Sequence, residues 1–207
     1  MAIYCLLSAI ISYLIGSVSF SVIFTKNFAG FDVRERGSKN AGSTNVLRTA
    51  GKGIAALTLL CDILKGVVAI LISIGIGTLA DVDEMQYLVQ ISALMVIIGH
   101  TFPIFFKFKG GKGVATSLGV ILLINWQIGL ICLVFALILI ILTRMVSLVS
   151  VTAAILFPVL IFFLTSNTYY TVEGDYRIFS VLLALLVCFN HRANINRLLH
   201  GTENKIF

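Results

Sequence analysis

The sequence predicts an all-α polytopic membrane protein with seven transmembrane helices, an N-terminus outside the cell and a C-terminus in the cytoplasm. Of the 207 residues, 59% are hydrophobic and only 12% are charged, which is about half the charged fraction of a soluble domain. Apolar runs near the ~20 residues that a spanning helix needs follow one another along the chain. These runs exclude a soluble enzyme, and we expect a single integral-membrane domain over residues 1–207.

Polar loops separate seven apolar segments, which supply the predicted helices. The fourth and the seventh are shorter than a full span. In an alternative arrangement, residues 114–142 form one long helix and the chain crosses the membrane six times. No basic residue precedes Lys26, so the first segment is interpreted as a retained helix rather than a signal peptide. In chain order the segments are 2–24, 54–79, 85–106, 114–124, 126–142, 145–164 and 178–190.

The distribution of charge favours seven crossings over six. Lys and Arg concentrate on cytoplasmic loops. Seven crossings with an external N-terminus place every basic residue except Lys65 and Arg177 on the inner side. Six crossings would move the basic C-terminal segment 191–207 to the outside. The net charge of +6 is therefore interpreted as a property of the cytoplasmic face.

Three polar clusters lie on this predicted cytoplasmic side. Cluster 1, residues 37–48, is rich in hydroxyls, amides and small residues, and its glycines argue against a plain helix. Cluster 2 combines residues 99–103 with the Lys- and Gly-rich loop 109–113. Cluster 3 covers residues 191–203 and begins with a histidine and an arginine.

The loop 109–113 has the composition of a phosphate cradle. Glycines allow backbone N–H groups to approach an anion closely, and the helix predicted from Val114 would direct its positive end at the same place. The loop is not a Walker A motif, because the required spacing is absent. The alternative is a basic turn that only fixes membrane topology, with glycines that cap helices.

Cationic and amide side chains in the clusters favour a site for phosphorylated ligands. Guanidinium and ammonium groups bind phosphate oxygens, although the same cations could contact lipid headgroups alone. Topology needs charge rather than amides, so amides beside charges favour a site that orients a polar ligand. The cations are Arg48, Lys112, Arg192 and Arg197, and the amides are Asn40, Asn45 and Asn194.

Two histidines border membrane segments, and His191 is the favoured candidate for a base. Imidazole accepts a proton near neutral pH, and Arg192 and Asn194 lie beside His191 in the sequence. A structural hydrogen bond is the alternative role for this side chain. His100 is followed by several aromatic residues and is interpreted as part of a structural corner.

Two ionisable residues lie inside the second apolar segment. Asp62 and Lys65 would each cost about 2.5–3.5 kcal/mol at a bilayer centre. Their i,i+3 spacing allows them to pair on one face of a helix. We therefore expect an internal polar contact between helices rather than direct catalysis.

Several chemistries are excluded by the motifs that the sequence lacks. It contains no G-x-S-x-G, no H-E-x-x-H and no His-x-x-x-x-Asp signature of soluble-type glycerolipid acyltransferases. The carboxylates predicted to lie inside, Asp32, Glu35 and Glu203, are too dispersed in sequence for a metal cluster. We therefore expect an enzyme that acts on phosphorylated substrates without a metal or a cofactor.

Three ordered blocks resemble those of the bacterial membrane acyl-phosphate:glycerol-3-phosphate acyltransferases. Residues 38–48, SKNAGSTNVLR, are similar to the family pattern S-G-N-x-G-x-T-N-x-x-R. Residues 99–103 and 108–116, GHTFP and FKGGKGVAT, resemble the second block. Residues 191–198, HRANINRL, with Gly201 and Glu203, resemble the third. The resemblance runs nearly from end to end and also covers Asp62 and Lys65.

Two positions depart from the family pattern. The family often has Gly-Ser-x-Pro in the first helix, where this chain has Ser19 in place of the proline. It usually has glycine after the motif serine, where this chain has Lys39. The first departure bears on a helix kink, and the second adds a charge beside the predicted site.

The resemblance implies transfer of a fatty acyl group from acyl phosphate to the 1-hydroxyl of glycerol 3-phosphate, giving lysophosphatidate and phosphate without a covalent acyl-enzyme. It also implies a seven-helix fold, in agreement with the charge distribution. Ser38, His191 and Asn194 are the expected catalytic residues. The expected substrate-binding residues are Asn40, Thr44, Asn45, Arg48, Gly110, Gly111, Lys112, Gly113, Arg192 and Arg197.

The resemblance further implies a place in the cell and a set of partners. We expect a multi-pass protein of the bacterial inner membrane with its active site on the cytoplasmic side and a role in phospholipid synthesis. Its partners would be the two substrates, membrane lipid and the enzyme that makes the acyl phosphate, with no nucleic acid. A transporter of small phosphorylated anions is the competing interpretation, because it shares a basic mouth and short helices directed at a ligand.

Overall fold

The computed structural model describes residues 1–164 and 170–206, and every regular element in this part of the chain is helical. The predicted all-α fold is confirmed. Short 3₁₀ helices cover Val33–Glu35 and Ile104–Phe106. The α-helices are α1 Ala2–Gly16, α2 Phe20–Ala29, α3 Ser43–Ala50, α4 Lys52–Leu79, α5 Met85–Thr101, α6 Val114–Ile124, α7 Trp126–Thr143, α8 Val146–Leu164, α9 Arg177–Asn190 and α10 Arg192–Leu199.

Several of these helices are long and apolar enough to cross a membrane. Within the described residues there are five such spans, and a sixth if α9 and α10, which meet at an angle of 68°, count as one. By contrast, α6 has only 11 residues and a length of about 16 Å, roughly half of a hydrocarbon core. The five spans are Ala2–Ala29, Lys52–Leu79, Met85–Phe106, Trp126–Thr143 and Val146–Leu164. The chain is thus a multi-pass helical membrane protein, and the number of seven crossings stays a prediction.

The predicted division of residues 114–142 into two helices is confirmed. Asn125 separates α6 from α7, and its side-chain oxygen accepts a hydrogen bond from the backbone N–H of Ile128 at 3.0 Å. This bond satisfies one of the N–H groups that the first turn of a helix leaves without a partner. The single long helix of the alternative arrangement is therefore excluded.

The first span is broken, although the sequence predicts one helix over residues 2–24. Helix α1 ends at Gly16 and α2 begins at Phe20. Ser19, which replaces the proline common in the resembled family, lies in this break with its hydroxyl 3.2 Å from that of Ser21. The chain therefore interrupts the helix here without proline, and α2 continues to Ala29 beyond the predicted end.

Residues Met1–Val120 form one compact unit in which glycines allow helices to approach closely. A Cβ atom at Gly16 would overlap the carbonyl of Val96, and one at Gly99 would overlap the carbonyl of Tyr13. Small residues at such crossings bring backbones together and allow dense packing in a membrane. Close packing of α1 against α5 fixes the part of the unit that carries His100.

Residues Ile121–Phe207 form the second compact unit. Helices α7, α8 and α9 pack against their neighbours in chain order, and α10 packs on both α8 and α9. Phe179 lies at the centre of an aromatic group, with its ring edge-on to Phe157 at 6.2 Å and to Tyr176 at 6.1 Å. The backbone N–H of Ile206 donates to the carbonyl of Arg144 at 2.9 Å, which holds the end of the chain beside the α7–α8 turn.

Candidate functional site

Cluster 1 is organised by the buried side chain of Asn45, which is only 1% exposed. Its Oδ1 accepts a hydrogen bond from the backbone N–H of Ser38 at 2.9 Å. Its Nδ2 lies 3.0 Å from the carbonyls of Val33, Arg36 and Asn40, which share its two hydrogens. Both polar ends of Asn45 are thus used to shape the preceding loop. Asn45 presents Ser38 and Asn40 rather than reaching outward itself.

The loop before Asn45 needs residues that tolerate a left-handed backbone. Gly37 has a φ of +58°, and a Cβ atom there would overlap Asn45 Oδ1. Lys39, which is exposed, has a φ of +59°, a region that favours glycine. The glycine that the resembled family usually has at this position is therefore explained by backbone conformation, and Lys39 holds the same conformation at a cost.

Replacing Lys39 with glycine is expected to raise the free energy of unfolding by up to about 1 kcal/mol, because relief of the left-handed strain exceeds the extra flexibility of the unfolded chain. Lys39→Ala is the matched control, since it removes the same charge but keeps a Cβ atom. Thermal unfolding in detergent measures both variants. Equal stabilisation by the two substitutions would contradict the conformational explanation.

The remaining cluster 1 residues lie on or beside helix α3. Thr44 stands in its first turn and Arg48 in its last, four residues apart, so both lie on one helical face. Thr44 is half-buried and Arg48 is exposed. The helix begins immediately after Gly42, so the glycines of cluster 1 shape the loop before it and do not prevent helix formation.

A charged clamp joins the segment before cluster 1 to the chain between the two parts of cluster 2. The Asp32 carboxylate accepts hydrogen bonds from Nε and Nη2 of Arg34 at 2.9 and 2.7 Å. Nη1 of Arg34 donates to the carbonyl of Phe106 at 2.7 Å, and Ala41 N–H donates to the carbonyl of Gly110 at 3.3 Å. The Arg34 guanidinium holds the pKa of Asp32 well below its usual range. The clamp is therefore charged throughout the neutral pH range.

In cluster 2, the glycines serve a close approach to helix α5. Gly110 N–H donates to the carbonyl of Thr101 at 3.1 Å, and Gly111 N–H donates to that of His100 at 3.0 Å. A Cβ atom at Gly110 would overlap the His100 carbonyl. The expectation that these two N–H groups face an anion is wrong, because α5 carbonyls already accept them. Both glycines allow the loop to approach α5, which agrees with the prediction that they shape the loop.

The rest of loop 109–113 leads into helix α6 as predicted. Gly113 has a φ of +87°, and α6 begins at Val114. The positive end of the α6 dipole therefore lies beside Lys112, which is half-buried. The ammonium group of Lys112 and the start of α6 thus place two sources of positive potential at this end of the loop.

Cluster 3 holds His191 in a defined tautomer. The ring is 3% exposed, and its Nδ1 lies 2.8 Å from the carbonyl oxygen of Val187. A carbonyl only accepts hydrogen bonds, so Nδ1 carries the proton and the Nε2 of the neutral ring keeps its lone pair. His191 can therefore accept a proton at Nε2.

Glu203 completes cluster 3 and was not among the residues predicted for the site. Its Oε1 accepts from Asn194 Nδ2 at 2.9 Å, and its Oε2 accepts from Arg197 Nε at 2.9 Å. Burial alone raises the pKa of Glu203, but hydrogen bonds from Asn194 and Arg197 outweigh it and lower the pKa. The carboxylate thus fixes the side chains of both Asn194 and Arg197.

A lowered pKa makes Glu203 a source of pH-dependent stability. Its contribution is complete above the ordinary value near 4.5 and is lost as the pH falls through the lower folded value. We expect the wild-type melting temperature to fall more between pH 7 and pH 4 than that of Glu203→Gln. The exposed Glu173 provides the control, as Glu173→Gln should follow the wild type. Parallel curves for all three proteins would contradict the assignment.

Arg192 lies on the exposed side of cluster 3. Its Nη1 donates to the carbonyl of Phe189 at 3.0 Å, and its guanidinium carbon lies 4.5 Å from the centre of the Phe189 ring. The side chain is therefore folded back on α9 and would have to turn to meet a phosphate. Among the described residues, no three His, Cys, Asp or Glu side chains are grouped to hold a metal ion.

The predicted site residues are thus gathered in two places. Clusters 1 and 2 lie together in the first compact unit, joined through Arg34 and through the Ala41–Gly110 hydrogen bond. Cluster 3 lies in the second unit, with Glu203 at its centre.

Comparison with known proteins connects these clusters to one family. A family model described as glycerol-3-phosphate acyltransferase matches residues 6–201. A protein of that name from Thermoanaerobacter sp. (strain X514) is 43% identical over 98% of this chain and 96% of its own length. The chain belongs to the glycerol-3-phosphate acyltransferase family. A further relative of the same name, from Clostridioides difficile (strain 630), is 44% identical over 96% of this chain and 93% of its own.

Solved acyltransferase structures share this fold. The glycerol 3-phosphate form of PlsY (YgiH), an integral membrane glycerol 3-phosphate acyltransferase, superposes with a TM-score of 0.83 at 35% identity, covering 97% of this chain and 94% of that one. Its lysophosphatidic acid form gives a TM-score of 0.81 at 34% identity, with the same coverage. The family suggested by the three sequence blocks is therefore confirmed.

Three residues that organise the two places could have been found from local signals in the sequence. Asp32 and Arg34 are two residues apart, and a carboxylate followed closely by an arginine can cap a short turn and hold the guanidinium. Glu203 follows Gly201, whose φ is +67°. A glycine just after a helix often reverses the chain, and this reversal brings Glu203 back to Asn194.

Proposed function

We propose that this chain transfers a fatty acyl group from acyl phosphate to the 1-hydroxyl of glycerol 3-phosphate, releasing lysophosphatidate and phosphate. The observation that carries the proposal is the pair of ligand forms of PlsY, because lysophosphatidic acid is glycerol 3-phosphate with one acyl group added. Acyl phosphate as donor is supported by the three sequence blocks that resemble the acyl-phosphate-dependent family. Phosphate is a good leaving group, so the reaction requires no covalent acyl-enzyme.

The proposal assigns the cations to the two anionic substrates. Bringing two phosphorylated groups together costs repulsion, which Arg48, Lys112 and either Arg192 or Arg197 would offset. Aligning the hydroxyl with the carbonyl can lower the barrier by about 7–11 kcal/mol in ideal cases, and cations at the departing phosphate supply a further part. The acyl chain would lie between the helices, open to the lipid.

Each remaining site residue takes a role that its contacts support. Ser38, His191 and Asn194 would orient the reacting groups. Asn45, Gly110, Gly111 and Gly113 would act by shaping the two loops of the first unit. Asn40 and Thr44, on either side of Gly42, would hold the substrate directly.

The proposal gives the proton of the attacking hydroxyl to a substrate phosphate oxygen. His191, Asn194 and Ser38 would orient this acceptor. The alternative is general-base catalysis by Nε2 of His191, which is favoured by the hydrogen bond between Nδ1 and the Val187 carbonyl. Glu203 is an unsuitable base, because Asn194 and Arg197 already donate to its two oxygens.

His191→Gln distinguishes the two routes for the proton. If a substrate phosphate is the base, we expect turnover to fall by about tenfold from lost orientation while the pH profile keeps its shape. A general base raises the rate by about 10²–10⁴-fold. A loss of turnover in that range would make His191 the base if the acidic limb of the pH profile, which reports protonation of an imidazole, disappears as well. Turnover measured from pH 5 to pH 9, with His200→Gln as control, decides between them.

We further propose the orientation and the location. The chain would form one domain over residues 1–207 with seven crossings, its N-terminus outside and its active site at the cytoplasmic face of a bacterial inner membrane. Helix α6 would enter the membrane and turn at Asn125 into α7. In whole cells, an impermeant thiol reagent should label Asp83→Cys and spare Lys39→Cys, each placed in a chain without its natural cysteines. The reverse pattern would overturn this orientation.

The test of the reaction uses purified protein in lipid with labelled glycerol 3-phosphate. We expect lysophosphatidate with acyl phosphate and none with acyl-CoA. Product from acyl-CoA alone would overturn the proposed donor but keep the enzyme class. No product from either donor, in a sample shown to be folded, would favour the transporter of phosphorylated anions, which uptake of labelled glycerol 3-phosphate into vesicles would then test. The enzyme that makes acyl phosphate is the expected partner in the cell.

A further inference from the structure

A triad of ionisable residues is buried in the first unit, between helices α4 and α5. Asp62, Lys65 and His100 are 2%, 4% and 7% exposed, respectively. Lys65 Nζ lies 2.8 Å from Asp62 Oδ1, which confirms the pairing predicted from their spacing. His100 Nδ1 lies 3.5 Å from the same oxygen. The Asp62 carboxylate thus stands between an ammonium and an imidazole.

Stability alone does not account for this triad. A buried ion pair recovers little more than the cost of removing its charges from water, and apolar residues of similar volume often serve as well. Ionisable residues inside membrane spans are rare and mark functional positions. We therefore expect the triad to have a function that apolar side chains at these positions could not provide.

One end of the triad holds the break in the first span. Lys65 Nζ donates a hydrogen bond to the carbonyl of Val18 at 2.9 Å. Val18 lies between the end of α1 and the start of α2, where a carbonyl lacks the partner that a continuous helix would provide. Lys65 therefore supplies a donor to the interrupted backbone.

The other end of the triad contacts the glycine loop of cluster 2. The His100 carbonyl accepts from Gly111 N–H at 3.0 Å. A Cβ atom at Gly111 would overlap Nε2 of His100, so the edge of the imidazole lies directly against the loop backbone. Nδ1 faces the Asp62 carboxylate at 3.5 Å without a hydrogen bond, so the contact that could orient the ring is an electrostatic one.

We propose that Asp62 and His100 are positioning residues for the loop 109–113. Asp62, balanced by Lys65, orients the imidazole, and the imidazole supports Gly111 so that the adjacent Lys112 and the start of α6 are held for an anionic substrate. This inference rests on the proposed function of Lys112 in phosphate binding. In this arrangement, buried residues of α4 and α5 determine the geometry of the loop.

The test measures kcat and KM for both substrates, per folded protein, with the purified chain in lipid. His100→Ala is expected to raise the KM of the substrate that Lys112 binds by about tenfold or more, with a smaller change in kcat. His100→Gln, which keeps a nitrogen near the loop, should restore KM to within about threefold. Ser92→Ala, a buried change on the same helix, is the control and should leave both constants unchanged.

A second set of variants shows whether His100 acts through Lys112. Residues that act as a unit have non-additive effects, so Lys112→Ala should lose no further activity when His100→Ala is added. If instead the two losses multiply, or if His100→Ala leaves KM unchanged, the positioning role is overturned. If Lys112→Ala alone leaves both kcat and KM unchanged, it is the proposed function of the loop that fails.

The paired substitution Asp62→Asn/Lys65→Met keeps the test informative should His100→Ala not fold. It removes both charges together, so no uncompensated charge stays buried. The positioning role predicts a folded protein with a raised KM for the same substrate. A folded double variant with wild-type kinetic constants would overturn it.

Discussion

Lys112→Ala is expected to reduce kcat/KM by about 10²–10³-fold, the usual loss when one donor to a developing charge is removed. Lys112 is half-buried in loop 109–113, immediately before the start of α6. The α6 dipole alone would not replace an ammonium group at that point. Steady-state kinetics with acyl phosphate and glycerol 3-phosphate measure the loss, and circular dichroism checks that the helices are intact.

Lys107→Ala is the matched control for this prediction. Lys107 lies in the same predicted cytoplasmic loop and is exposed, so its removal costs the same amount of topogenic charge. If cluster 2 serves only to fix topology, the two substitutions should have equal effects on activity and on the amount of protein inserted. Lys112→Arg should recover part of the activity, because the charge is kept in a different shape.

Asn45→Ala is expected to lower the free energy of unfolding by about 3 kcal/mol, since it removes a set of buried hydrogen bonds worth about 0.5–1.5 kcal/mol each. The same change should reduce turnover by more than about tenfold, because the loop that presents Ser38 loses its organising side chain. Thermal unfolding and kinetics on one preparation measure both effects. If Asn45 organises the loop that carries Ser38, the free energy of unfolding and the turnover should both fall in the same variant.

Two further substitutions, one at Asn45 and one at Thr49, show which hydrogen bonds of Asn45 the loop needs. Thr49→Val removes one hydrogen bond, from Oγ1 to the Asn45 carbonyl, and should cost about 1 kcal/mol with little effect on turnover. Asn45→Asp keeps the acceptor for Ser38 but directs a second oxygen at three carbonyls, so it should be at least as damaging as alanine. A fully stable Asn45→Ala protein with impaired substrate binding would instead show that Asn45 contacts substrate.

The membrane-spanning elements were largely predictable, because apolar runs and charge asymmetry follow from the properties of the bilayer. The division at Asn125 was predictable for the same reason. The break at Ser17–Ser19 was not predicted, although Ser19 was noted as a departure that bears on a helix kink. One contact that stabilises the break is distant in sequence, because a lysine 47 residues away donates to the Val18 carbonyl. A contact of this kind has no local signature.

The candidate site shows the same limit. Residue types correctly indicated the polar stretches, but they did not indicate that Asn45, predicted to bind substrate, also hydrogen-bonds to backbone carbonyls up to 12 residues earlier. The Gly110 and Gly111 amides donate to α5 rather than to an anion. In both cases the residue type indicates hydrogen bonding or close approach, and only the fold shows which partner is reached.

The position of Asp62 and Lys65 on one helix also bears on how the chain enters the membrane during synthesis. Both residues belong to α4, one turn apart, so their charges can meet as soon as that helix forms, before α5 and its His100 have been synthesised. Helices insert first and associate afterwards, and an unpaired charge raises the free energy of the insertion step. Helix α4 therefore brings its own counterion into the bilayer, and His100 and the Val18 carbonyl join the pair only during the later assembly.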